Sequence, residues 1–99
     1  MAGQVVTVVS AVVDPAREAD LSAAYEVVLG EDLPDGLLAS ALMRGTENGW
    51  QIATVWRDRA ALDAMRASGV PPAAPRVFRQ AGAEPSVAIF DVTAAILLK

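Results

Sequence analysis

Few side chains in this sequence can do chemistry. There is no histidine and no cysteine, which removes the usual general base, the commonest metal ligand and every thiolate mechanism. What remains is one tyrosine, Tyr25, two tryptophans, Trp50 and Trp56, and arginines at scattered positions. A tyrosine hydroxyl can donate to a substrate oxygen, an indole can stack on a flat ring, and a guanidinium can stabilise an anion. No serine lies in a nucleophile elbow, and no glycine-rich loop is present to cradle a phosphate. Gly45, Gly49 and Gly69 each have a turn or cap explanation. Glu31, Asp32 and Asp35 crowd one loop, but without the ordered spacing of a calcium loop, so no metal site is expected.

Composition narrows the setting in which these groups work. The 99 residues make one domain, and with 54% hydrophobic and 20% charged residues the chain has ample apolar surface to fold. Its net charge of −4 argues against a nucleic-acid partner, whose phosphates call for a basic surface. No run reaches the roughly 20 apolar residues of a membrane helix. The uncharged opening Met1–Val13 has no Lys or Arg ahead of its apolar run and is rich in valine, so it reads as a strand and not as a signal peptide. A cytoplasmic location is the resulting expectation. With no cysteine, no disulfide framework is available.

The elements that must position the candidates follow from patterning. Gln4–Val13 is a strand with valines on both faces. Asp14 and Pro15 form a cap and a first turn for a helix over Pro15–Leu29, with Leu21, Ala24, Tyr25, Val28 and Leu29 on one stripe and Gly30 as its stop. After the turn-rich loop Gly30–Gly36, a strand over Leu37–Thr46 is predicted, with Leu37 and Met43 on one face and Leu38 and Leu42 on the other. Asn48-Gly49 centres a hairpin turn, and Trp50–Arg57 returns with Trp50, Ile52, Thr54 and Trp56 sharing a face. Asp58 caps a second helix whose stripe is Ala61, Leu62 and Met65. A short helical turn over Ala74–Gln80, with Val77 and Phe78 inward, precedes a last strand over Ser86–Ala94.

The order is βαββαβ with a helical insertion before the last strand. It suits an α+β, ferredoxin-like fold: a four-stranded antiparallel sheet with its helices on one face. Two helices leave the other face bare, yet the first two strands are apolar on both sides. Burying about 700 Å² of such a face would be worth on the order of 17 kcal/mol per subunit before the costs of association. A homodimer through the open sheet face is therefore expected, with the apolar tail at Ile96 and Leu97 completing its burial on the second subunit.

The opening strand QVVTVVSAVVD and the run Gly49-Trp50-Gln51-Ile52-Ala53-Thr54-Val55-Trp56-Arg57-Asp58 carry a resemblance. In that run a tryptophan closes the third strand and an acidic residue opens the next helix. With the Ala60–Met65 segment and the final Val87–Thr93 strand in their places, the chain resembles the antibiotic biosynthesis monooxygenase family of the dimeric α+β barrel superfamily over residues 4–94. The resemblance implies small dimers with one pocket per subunit between sheet and helices. Several relatives act as oxygenases of aromatic, polyketide-type substrates without a cofactor, and others degrade haem. Many relatives carry a pocket histidine in the helix after the tryptophan. Here that stretch holds Met65, Arg66, Ala67 and Ser68, which disfavours histidine-ligated haem chemistry and leaves no cofactor expected.

Within that frame each candidate has two readings. Trp56 is either a pocket wall stacking on a flat substrate or a core residue whose N–H needs an acceptor. Trp50, beside the turn, reads as a rim or interface residue. Tyr25 either donates to a substrate oxygen or reaches water at the edge of the core. Arg66 either favours the helix dipole or stabilises an anionic substrate at the pocket mouth. Arg76 and Arg79, flanking Phe78 on the presumed cover, carry the same pair of readings. Asp91 is expected to ion-pair with Arg57 or Arg44. Trp56, Arg66 and Tyr25 are the catalytic candidates, and Leu62, Met65, Arg76 and Phe78 the substrate-binding ones. The resulting function is a cofactor-independent monooxygenase of a small aromatic substrate. The alternative is a non-catalytic homodimeric module of the same fold that binds a small apolar molecule or serves a larger assembly.

Overall fold

Valine-rich β1, Val5–Val12, occupies the middle of the sheet because it is apolar on both faces and pairs on both edges. The structure, a computed structural model, describes residues 3–96. β1 runs antiparallel to β3 (Gly49–Trp56) on one side and to β4 (Ser86–Asp91) on the other, and β2 (Leu37–Arg44) completes the order β2-β3-β1-β4. Three helices, α1 (Glu18–Leu29), α2 (Arg59–Ala67) and α3 (Ala73–Gln80), supply the buried partners Leu21, Ala61, Leu62, Val77 and Phe78 of the inward strand residues. This is the ferredoxin-like α+β arrangement the sequence leads one to expect. No helix among the described residues is long and apolar enough to cross a membrane.

Local chemistry explains the boundaries. The Asp14 carboxylate accepts from the Ala16 amide at 2.9 Å, opening a 3-10 turn over Pro15–Arg17 that leads into α1. The Asp58 carboxylate accepts from the Ala61 amide at 2.8 Å and caps α2. That hydrogen bond, reinforced by Arg57, holds the Asp58 carboxyl below the ordinary aspartate range. β4 stops at Asp91, short of the expected Ala94, because Asp91 faces Val5, the first residue of its partner strand. One further bond, from the Val92 amide to the Gln4 carbonyl at 2.9 Å, closes the ladder. Beyond it Ile96 is exposed, and Leu97 lies outside the described residues.

Two local expectations are corrected. A bulge at the start of β2 sets Leu37 opposite Trp56 and Ala39 opposite Val55. The extra residue turns Leu37 to the helix side, with Leu42, and away from the face of Met43. The hairpin turn is also centred one residue early. Glu47 and Asn48 carry the positive φ angles, 54° and 62°, while Gly49 is already the first residue of β3 and donates its N–H to the Thr46 carbonyl at 2.9 Å. Both central residues sit in the left-handed region that a primed hairpin turn requires.

Glutamate is a poor occupant of that region, whereas glycine enters it freely. Replacing Glu47→Gly is expected to stabilise the fold by about 1 kcal/mol. A rise in the thermal unfolding midpoint checks it, and an unchanged or lower midpoint refutes it.

Candidate functional site

The helix-facing side of the sheet falls into three bands along the strands. At one end Val9 and Ala11 of β1, Val13 just beyond it, and Trp50 and Ile52 of β3 pack against Leu21 of α1 and Val77 and Phe78 of α3. At the other end Val5 and Trp56 pack against Ala61 and Leu62 of α2. Between the two lies a row of hydroxyl residues in direct cross-strand register: Thr7 on β1 faces Thr54 on β3, which faces Ser40 on β2. Short polar side chains fill little space, and the helices do not close over them. A cavity of about 270 Å³ opens there, with Thr7, Thr54 and Ser40 in its lining.

Its walls are almost wholly apolar. Tyr25, Val28 and Leu29 of α1 form one side, Trp56, Leu62, Met65 and Arg66 another, and Leu33, Pro34 and the segment 72–75 bound the opening. The loop wall is pinned by Gly36. Its φ of +86° is left-handed, its carbonyl accepts from the Arg57 amide at 2.7 Å, and a side chain there would collide with Ala61 of α2.

The polar groups of the cavity are wired in pairs. The Trp56 indole N–H donates to Thr7 Oγ1 at 3.2 Å. The Tyr25 hydroxyl bonds Ser40 Oγ at 2.9 Å. Trp56 is buried, at 4% exposure, as a core residue with an acceptor for its N–H, and it also lines the cavity. Tyr25 reaches Ser40 in the cavity wall. Arg66 lies in the last turn of α2, is exposed, lines the cavity, and has no carboxylate partner among the described residues. Asp and Glu are absent from the described lining, so its charged group is this guanidinium.

Of the seven residues chosen from sequence, the structure brings five together: Trp56, Arg66, Tyr25, Leu62 and Met65. The other two are corrected. Phe78 is fully buried in the first band and does not line the cavity, because the turn of α3 carries it toward the core while Ala73, Ala74 and Val77 face the space. Arg76 points away and pairs with Glu31 at 2.9 Å. Trp50 is likewise a core residue and not a rim one. It is 8% exposed, with the Arg44 guanidinium 5.4 Å above its ring and its own N–H buried without an acceptor. Asp91 pairs with Arg59 at 3.0 Å; Arg44 goes to Glu18 and Arg57 to Asp58. Thr7, Ser40 and Thr54 escaped the sequence reading. The signal available was a polar residue on each otherwise apolar inward strand face.

Solved structures share this architecture. A protein from Deinococcus radiodurans, provisionally assigned as an antibiotic biosynthesis monooxygenase, superposes with a TM-score of 0.72 at 14% identity, covering 96% of this chain and 98% of that one. SnoaB, a cofactor-independent oxygenase from Streptomyces nogalater, superposes in a mutant form with a TM-score of 0.69 at 19% identity over 96% of this chain and 98% of its own. A Caulobacter crescentus protein with the same provisional assignment as the first gives 0.69 at 17% identity, covering 94% and 92%. The chain shares their fold. No protein-family model matches the sequence, and no curated protein matches it.

The close seat of the loop on α2 makes Gly36 the sensitive point of the cavity wall. Gly36→Ala is expected to destabilise the protein by about 2 kcal/mol, from left-handed strain plus the collision with Ala61. Adding Ala61→Gly should recover only the collision part. Urea unfolding of the two variants checks both statements, and a Gly36→Ala midpoint equal to wild type refutes them.

Proposed function

We propose that this chain is a cofactor-independent monooxygenase acting on a small aromatic, polyketide-type substrate held in the cavity between sheet and helices. The observation that carries the reading is the cavity itself: apolar walls that end in Trp56, with one unpaired guanidinium, Arg66, in the lining. The likeness to SnoaB in fold supports it.

The chemistry asks little of the protein beyond this. An ionised phenol or enol passes an electron to O₂; the two radicals combine at the substrate carbon to form a peroxide anion, which takes a proton from solvent to become a hydroperoxide. A hydroperoxide on a former CH₂ group then loses water to leave a carbonyl, so that one oxygen atom stays in the product and the other leaves as water. Trp56, Leu62 and Met65 form a wall that holds the flat substrate and excludes water. Arg66 favours the anion. With neither carboxylate nor imidazole in the described lining, the proton leaves to solvent, and the substrate's own acidity, enhanced by the site's donors, sets its ionised fraction. Tyr25 donates to Ser40 Oγ, so it acts on a substrate oxygen through the hydrogen that Ser40 keeps.

The protein works as a homodimer in this reading. The open sheet face presents Val6, Val8, Ala53 and Val55, half-buried, with Val12 and Phe90 more than half exposed, at 71% and 55%. This is a self-complementary surface of small and apolar groups, and a second copy covers it without an unpaired charge. Light scattering at micromolar concentration should return twice the 10.3 kDa chain mass. A stable species of single mass overturns the dimer.

Oxygen uptake with a panel of hydroxylated anthrones, naphthols and quinols tests the activity. Trp56→Phe and Arg66→Gln are each expected to lower the rate about tenfold, equivalent to about 1.4 kcal/mol, with the assembly state unchanged. The pH profile should move with the pKa of each substrate, since no protein base is required. The absence of a carboxylate from the described lining also favours a second reading, a binding module. Tight binding of the same compounds without oxygen uptake would establish that reading in place of the oxygenase.

A further inference from the structure

The hydroxyl row on the cavity floor has a direction. An indole nitrogen only donates, so in the Trp56–Thr7 contact the threonine oxygen accepts and its own hydrogen stays available. Tyr25 and Ser40 are both hydroxyls, and the more acidic phenol is the better donor, so Ser40 Oγ accepts from Tyr25 and keeps its hydrogen. Thr54 stands between them, opposite both, and is itself 6% exposed. Two of the three hydroxyls therefore have an acceptor position already filled from the protein and a donor position left over. Three such residues on adjacent strands span about 10 Å, two strand spacings.

We infer that Thr7, Thr54 and Ser40 form an acceptor-binding strip that selects, among flat apolar ligands, fused two-ring molecules carrying a carbonyl or oxyanion on the edge that meets the sheet. The inference rests on the cavity being the ligand site. Size sets the ring count: a cavity of about 150 Å³ takes one benzene, and the 270 Å³ here is nearly twice that. Polarity sets the edge, because donors left over in an apolar enclosure are worth more to an oxygen acceptor than in water. Tyr25 is a positioning residue in this arrangement, directing the Ser40 hydrogen toward the ligand.

The test uses two probes on the intact protein. Naphthalene reports apolar fit alone. The second probe, 5-hydroxy-1,4-naphthoquinone, has the same two rings with edge oxygens, and its ionisation changes its visible spectrum. The titration is run in about 0.5 M salt, which shortens the Debye length to roughly 4 Å and mutes Arg66. The bound quinone should titrate about one unit below the free one, equivalent to roughly tenfold tighter binding of the anion. Thr54→Val and Ser40→Ala should each remove about half of that shift or more and leave naphthalene affinity within about twofold of wild type, which also shows that the variants are folded. If both probes bind but the quinone titrates as in solution, or shifts equally in wild type and variants, the strip is overturned and the cavity reading stands. If neither probe binds, the cavity reading fails and the strip with it.

Discussion

Everything at the site depends on a core that does not close in the middle. The same inward face of β1 and β3 carries large apolar residues at both ends, Val9 with Ile52 and Val5 with Trp56, and hydroxyl residues at the centre, Thr7 with Thr54. Burial of apolar surface draws α1 and α3 to one end and α2 to the other. The central row offers a helix no comparable apolar surface, so the space above it stays open. Cavity, floor and walls are thus one consequence of where three small polar side chains fall in the register.

The polar content of the site follows the same economy. Arg17, Arg44, Arg57, Arg59 and Arg76 each have a carboxylate partner at the surface. Such exposed pairs contribute little to stability, but they tie those cations to the scaffold and leave Arg66 to face the cavity. The polar groups inside the cavity are neutral, with Trp56 bonded to Thr7 and Tyr25 to Ser40. A site of this kind can orient and polarise a ligand, while the proton inventory belongs to ligand and solvent.

Much of the architecture was legible in the residues. Valine-rich β1, the caps Asp14 and Asp58, and the alternation of Trp50, Ile52, Thr54 and Trp56 fix the order of elements and the face that packs. Two errors are errors of one residue of phase: the β2 bulge moves Leu37 to the other face, and the early hairpin turn places Glu47 and Asn48 at its centre. The others are errors of partner: Val77 and Phe78 turn inward as expected, but Phe78 packs in the band away from the cavity, and Arg76 goes to Glu31. Periodicity gives the period of an element and leaves its phase to tertiary packing. The hydroxyl row left only a faint signal: Thr7, Ser40 and Thr54 are unremarkable singly, and only the pairing of three strands makes them neighbours.

The two tryptophans occupy opposed surroundings. Trp56 borders the cavity and shares its N–H with Thr7; Trp50 packs in the far band beneath Arg44, with no acceptor for its own N–H among the described residues. An occupant of the cavity would meet one indole and leave the other untouched. The protein therefore carries an internal fluorescence reference alongside a responsive emitter, and occupancy is readable from the ratio of two emission components without attaching a dye.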